Sequence, residues 1–222
     1  MKKLILSTAL TGVLAFNSAV ADDDDDYRTY HVTITNTTAH QIITPPVVIA
    51  HNHRYHLFRV GNKMHPASDE LATMAETGNN EPLAMMASHN PNVAAVETGA
   101  GGIEPGMSQT ITIMAPKKTL FTVAGMLASS NDAFTSATHI RAPKKRRYAH
   151  AMSMTYDAGS EMNNEECDYL PGPPCGGEMN KRTETGEGFV TIHNGIHGVG
   201  GLMPKMFDWR GPTAMVRIHN DG

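Results

Sequence analysis

The sequence predicts an all-β domain of many short strands, a sandwich or a barrel, interrupted by one short helical interval. Short apolar runs with β-branched residues recur along most of the chain, each bounded by Gly, Pro, Asn or Asp. Only one stretch spaces its apolar residues as a helix does. A single β core suits this length, since all-β domains of roughly 200 residues are ordinary, and no break in composition divides the chain.

Residues 1–21 read as a cleavable secretory signal: Lys2 and Lys3, an apolar run over 4–16, then Ala19 and Ala21 ahead of five aspartates. That run is too short for a permanent anchor, and no later segment is long and apolar enough, so no membrane insertion is expected. The mature chain is expected to be exported, periplasmic or secreted. Residues 22–28 are expected to be a disordered acidic linker, because adjacent aspartates do not pack without compensation. Residues 29–222 then form one domain.

Within it, residues 30–35 (YHVTIT) alternate apolar and polar as a half-buried strand does. Further strands are expected at 47–50, 55–60, 109–114, 120–126, 148–156, 189–193 and 214–219. Ser68 is placed to cap a helix with Asp69 and Glu70 in its first turn, Leu71, Met74 and Ala75 on one face and Gly78 as its stop. Asn80-Glu81-Pro82 opens a second helix, with proline in the first turn. Both are expected to cap an open end of the β structure.

A formal net charge of -4 argues for neither nucleic-acid nor anionic-membrane binding. The run KKRR at 144–147 is a local exception and reads as a solvated turn before a strand. Cys167 and Cys175 are the only cysteines, and in an oxidising compartment they are expected to pair across a short Pro-Gly loop. The chain contains no His-Glu-x-x-His, Gly-x-Ser-x-Gly or phosphate-cradling glycine loop, so it is read as a non-enzyme.

Twelve histidines raise a transition-metal reading. His51 and His53 share one face if extended, and His193 and His197 lie in a glycine-bounded loop. Imidazole suits copper or zinc, so these four are the alternative metal set. The methionines are read as core filler.

The segments HVTITNTTAHQIITPPVVIAHNHRYHLFRVG, GMLASSNDAFTS, YDAGSEMNNEECDYLPGPPCGG, FVTIHNGIHGVGGL and DWRGPTAMVRI together resemble the bacterial branch of the spondin N-terminal domain family, the module of F-spondin and mindin. The resemblance runs from about residue 30 to 218. It implies an eight-stranded antiparallel jelly-roll sandwich similar to a C2 domain, non-catalytic, holding a calcium ion at one end. On the family's acidic segments it implies Asp132, from Asn131-Asp132-Ala133-Phe134, and Asp157 and Glu161, from Tyr156-Asp157-Ala158-Gly159-Ser160-Glu161, as metal ligands. Asn131 is a possible further oxygen ligand, as a hard ion takes six to eight oxygens. Glu165, Glu166 and Asp168 are read as solvated. The chain lacks the family's tryptophan after Asp132 and adds the Cys167–Cys175 loop, which puts the family's adhesion role in doubt. A protein or glycan on a surface is the expected partner, and a metal-free interaction module is the second alternative.

Overall fold

The structure, a computed structural model, describes residues 27–178, 181–183 and 186–221. The expected signal at 1–21 and the aspartate run at 22–26 lie outside the described residues. Among the described residues, no helix is long and apolar enough to cross a membrane.

Among the described residues, ten strands form two antiparallel sheets packed face to face. The strands are β1 (Tyr27–Asn36), β2 (Val47–His51), β3 (Val93–Thr98), β4 (Ser108–Pro116), β5 (Leu120–Met126), β6 (Ala133–Arg141), β7 (Tyr148–Met152), β8 (Met154–Asp157), β9 (Thr191–Ile192) and β10 (Ala214–Asn220). One sheet has the order β4-β1-β10-β7 and the other β3-β2-β5-β6-β8-β9. The fold is the expected all-β sandwich, with ten strands where the resemblance implied eight. β1 begins at Tyr27, where Tyr27 and Arg28 pair with Pro116 and Ala115, so the ordered domain takes in two residues assigned to the linker.

Tyr30, Val32 and Ile34 of β1, Ile111 and Ile113 of β4, and Val216 and Ile218 of β10 point inward against Val48, Phe121 and Val123 of the larger sheet. Their partners in sequence point to solvent, which explains the clean alternation of β1, β4 and β10. The larger sheet is covered on both faces, so β2 is buried throughout and reads as a continuous apolar run.

Its outer cover is helical. Helix α1 (Asp69–Thr77) is capped by Ser68, whose hydroxyl accepts the Leu71 N–H, and stops at Gly78 in the left-handed conformation. Helix α2 (Glu81–Ser88) carries proline in its first turn. Leu71, Met74 and Leu83 pack on Val47, Ile49, Ala124 and Phe134. The helices therefore lie on the outer face of the six-stranded sheet and not over an open end, because that face is itself apolar.

Three strand expectations change. Residues 55–60 are not a strand: Tyr55 and Leu57 alternate because they bury against the helical layer, while their backbone pairs with no sheet. The run 148–156 is two strands in different sheets, broken at Ser153, whose hydroxyl accepts the Ala214 N–H at the crossing. Only Thr191–Ile192 pairs within 189–193. Conversely, β3 and β6 were not anticipated.

A short helix, α3 (Pro204–Phe207), lies in the last long connection. There Leu170, Ile196, Leu202 and Phe207 form a small separate core beside Cys175 and Trp209. This core anchors the loops around the acidic residues.

Candidate functional site

Asp132 precedes β6 and Asp157 ends β8, and strand register sets Ala133 opposite Asp157. The Ala158 N–H donates to the Asp132 carbonyl at 3.2 Å, locking the two turns together. The turn before Asp132 is shaped by Ser130, whose hydroxyl donates to the Leu127 carbonyl at 2.7 Å and accepts the Ala133 N–H at 3.1 Å. These contacts place two carboxyls in the interior at one end of the sandwich.

The Asp132 side chain is 0% exposed. Its Oδ2 accepts the Ser160 N–H at 2.8 Å, the Glu161 N–H at 3.0 Å and the Ser160 hydroxyl at 3.1 Å. Its Oδ1 is buried without a partner. Burial, followed by the adjacent Asp157 charge, pushes Asp132 up to about 8, and its hydrogen bonds only partly offset this. Asp157 is also pushed up, chiefly by burial. Its Oδ1 accepts the Gly159 N–H at 2.6 Å, Oδ2 accepts from Asn163 Nδ2, and its carboxyl shares a hydrogen bond with Glu187. Glu187 is pushed up by burial and by the Asp157 charge.

Glu161 is 2% exposed and held at this end through its backbone. Its carboxyl faces a different neighbour. Burial and then the charge of Glu76 on α1 push it up to about 7, against hydrogen bonds that include Asn131, and Oε2 has no partner. Arg182 pairs with Glu76 at 2.6 Å, leaving Glu76 Oε1 without one. The structure thus brings Asp132 and Asp157 side by side and sets Glu161 beside them through its N–H, with its carboxyl turned toward Glu76. Among the described residues, no three His, Cys, Asp or Glu side chains are already arranged around one metal position. Asn131 is committed to the loops: its Oδ1 accepts the Glu165 N–H at 3.1 Å and its Nδ2 donates to Asn164 Oδ1 at 3.1 Å.

Glu165 corrects its solvated reading. It is 3% exposed, and its carboxylate accepts N–H groups from His197, Gly198 and Val199, the latter two at 2.7 and 3.1 Å. It clamps the 197–199 turn to the acidic end. Glu187 and Glu76 also escaped the sequence reading, as neither lies in an acidic motif.

The four histidines do not meet. His51 is buried at the far end of β2 with both ring nitrogens bonded, Nδ1 to the Asn52 carbonyl at 2.7 Å and Nε2 to the Thr122 hydroxyl at 2.8 Å. His53 and His197 are exposed. His193 lies beside Thr155, in the row of Thr135 and Gly125, whereas His51 pairs with Leu120. Five residues of β5 separate these rows, roughly 17 Å. His193 Nδ1 accepts the Gly195 N–H at 3.0 Å, so Nε2 carries the proton and donates to Asn163 Oδ1 at 3.1 Å. Burial lowers it to about 4, so it stays neutral. A relay from His193 through Asn163 thus orients Asp157.

The disulfide forms as expected between Cys167 and Cys175. Its loop packs behind the Asp132 turn: the Gly172 N–H donates to the Ala128 carbonyl at 2.8 Å, and the Ser129 hydroxyl donates to the Pro173 carbonyl. A Cβ on Gly172 would stand 2.4 Å from the Ala128 oxygen. Comparison with known proteins finds no matching family model and no matching curated protein.

Proposed function

We propose that this chain is an exported, non-enzymatic β-sandwich that binds a divalent cation, calcium, at its acidic end and acts in recognition at the cell envelope or outside the cell. The observation that carries the reading is the buried Asp132–Asp157 pair with an unpartnered Asp132 Oδ1. Two carboxyls set together out of water either keep protons or gain a cation, because the doubly charged state is strongly disfavoured.

The donor chemistry fits a hard ion. It consists of oxygens, with the neutral His193 held back to an orienting hydrogen bond. Asp132 and Asp157 would hold the ion, with Glu161 and Glu187 as flanking acids. When bound, the ion supplies the positive charge that the Asp132–Asp157 pair needs to shed its protons. The spondin resemblance supports the same residues from the sequence side. The disulfide loop, braced on Ala128 and Ser129, lowers the ordering cost of the Asp132 turn.

Calorimetric titration of chelator-stripped protein with calcium tests the reading. The expected result is saturable binding that releases protons, strengthens from pH 6 to pH 8.5 and disappears in Asp132→Asn. Absence of binding at pH 8.5, with the fold intact, would leave a metal-free interaction module.

A further inference from the structure

The opposite end of the sandwich gathers basic side chains. The β4–β5 turn supplies Lys117 and Lys118, β6 ends at Arg141, and the β6–β7 connection supplies the KKRR run at 144–147. Register gathers them, because Leu120 pairs with both His51 and Arg141, and Tyr27 at the start of β1 pairs with Pro116. The connection is tied down across both sheets. The Ala142 N–H donates to the Thr119 carbonyl at 3.1 Å, Asn220 Nδ2 to the Pro143 carbonyl at 2.8 Å, and the Arg146 N–H to the Asn220 carbonyl at 2.8 Å. The cations therefore project from a fixed backbone.

Between the two basic turns lies a cavity of about 460 Å³ lined by Asn52, His53, Lys117, Lys118 and Arg141, among others. Its size falls in the range of roughly 300–1,000 Å³ of small-ligand sites. Among the described residues, Lys118, Arg141 and residues 144–147 make no ion pair. Asp221, the nearby acid at the end of β10, is engaged by His31 at 2.6 Å and His219 at 2.9 Å. The net charge of -4 is a sum over the whole chain and does not describe this local group of cations.

We propose that this cationic end is a binding site for an extended anionic glycan carrying sulfate or phosphate groups. Guanidinium and ammonium groups match such oxyanions, and Arg141 offers the planar donor fork. Asn52, whose Nδ2 donates to Asn92 Oδ1 at 3.1 Å and whose Oδ1 accepts the Arg54 N–H at 2.8 Å, forms a fixed wall of the cavity. Among the described lining residues the aromatic ring is the imidazole of His53, with no Phe, Tyr or Trp to extend it into a row that stacks successive bases. Tyr27 and Tyr148 are exposed at this end but outside the cavity lining, so anionic vesicles serve as a competing ligand in the test. The KKRR run, read from sequence as a solvated turn, becomes the outer rim of the site, where a longer chain continues beyond the cavity. The site lies at the end of the sandwich away from Asp132 and does not depend on a cation there.

Titration of the mature chain with a heparin-derived hexasaccharide tests the site. Binding is expected to weaken by at least about tenfold between low and physiological salt, as oxyanion contacts release counterions. The exposed pair Lys118→Glu/Arg141→Glu should weaken binding by at least about tenfold at low salt. The control pair Lys63→Glu/Lys205→Glu, away from this end, should change it less than about twofold. An unchanged melting temperature establishes that the variants fold, and Lys145→Glu provides an independent second variant with loss in the same direction. No binding, equal loss in the control pair, or tighter binding to phosphatidylglycerol vesicles or single-stranded DNA than to the hexasaccharide would overturn the proposal.

Discussion

Asp132 shows how a single carboxyl sets the behaviour of its surroundings. Its Oδ2 is fully occupied by backbone and hydroxyl donors, while Oδ1 faces the interior with none. Because its folded value is raised, the metal-free folded chain holds this proton more tightly than the unfolded chain. The resulting stability is complete below about pH 4 and is lost as pH rises through about 8. Melting of metal-free protein should therefore fall between pH 5 and pH 8.5. Asp132→Asn keeps an acceptor for the three donors and removes the titration, so its melting curve should be flatter with pH and higher than the parent at pH 8.5. Glu165→Ala should cost about 2–4 kcal/mol in urea unfolding, because it orphans N–H groups of the 197–199 turn that now bond a carboxylate.

At the scale of elements, the alternating strands were legible because one face of each meets the core and the other meets water, as in Tyr30, Val32 and Ile34. β6 was not, since AFTSA is buried on both faces and its small polar residues satisfy themselves across the sheet, Thr135 to Ser153 and Ser136 to the Val123 carbonyl. Residues 55–60 carried the right alternation for the wrong reason, packing under a helix. Asp132 and Asp157 were named through the resemblance of their segments to the acidic segments of the spondin family. Glu165 was missed because its burial depends on the 197–199 turn, distant in sequence, and Glu187 because it is an exposed loop residue that reaches Asp157 only in the fold. The helical cover is testable: Phe134→Ala removes a side chain wedged against Phe58 and Tyr156, at 5.1 and 5.6 Å between rings, and should cost about 3–5 kcal/mol. Gly172→Ala drives a Cβ into the Ala128 carbonyl and should cost about 1–3 kcal/mol while also weakening any calcium response.

Taken whole, the described residues form a sandwich with buried acids at one end and basic turns at the other, built on a core that holds both sets of loops. Its two proposed roles separate along that axis, so lesions at one end should leave the other intact. Charge reversal at Lys118 and Arg141 should spare the calcium response, and Asp132→Asn should spare glycan binding. The most direct test of the acidic end is the melting temperature of chelator-stripped protein at pH 8.5, with and without calcium. A rise of several degrees on adding calcium, absent in Asp132→Asn, is the predicted result. An identical melting temperature in both conditions would contradict a cation between Asp132 and Asp157.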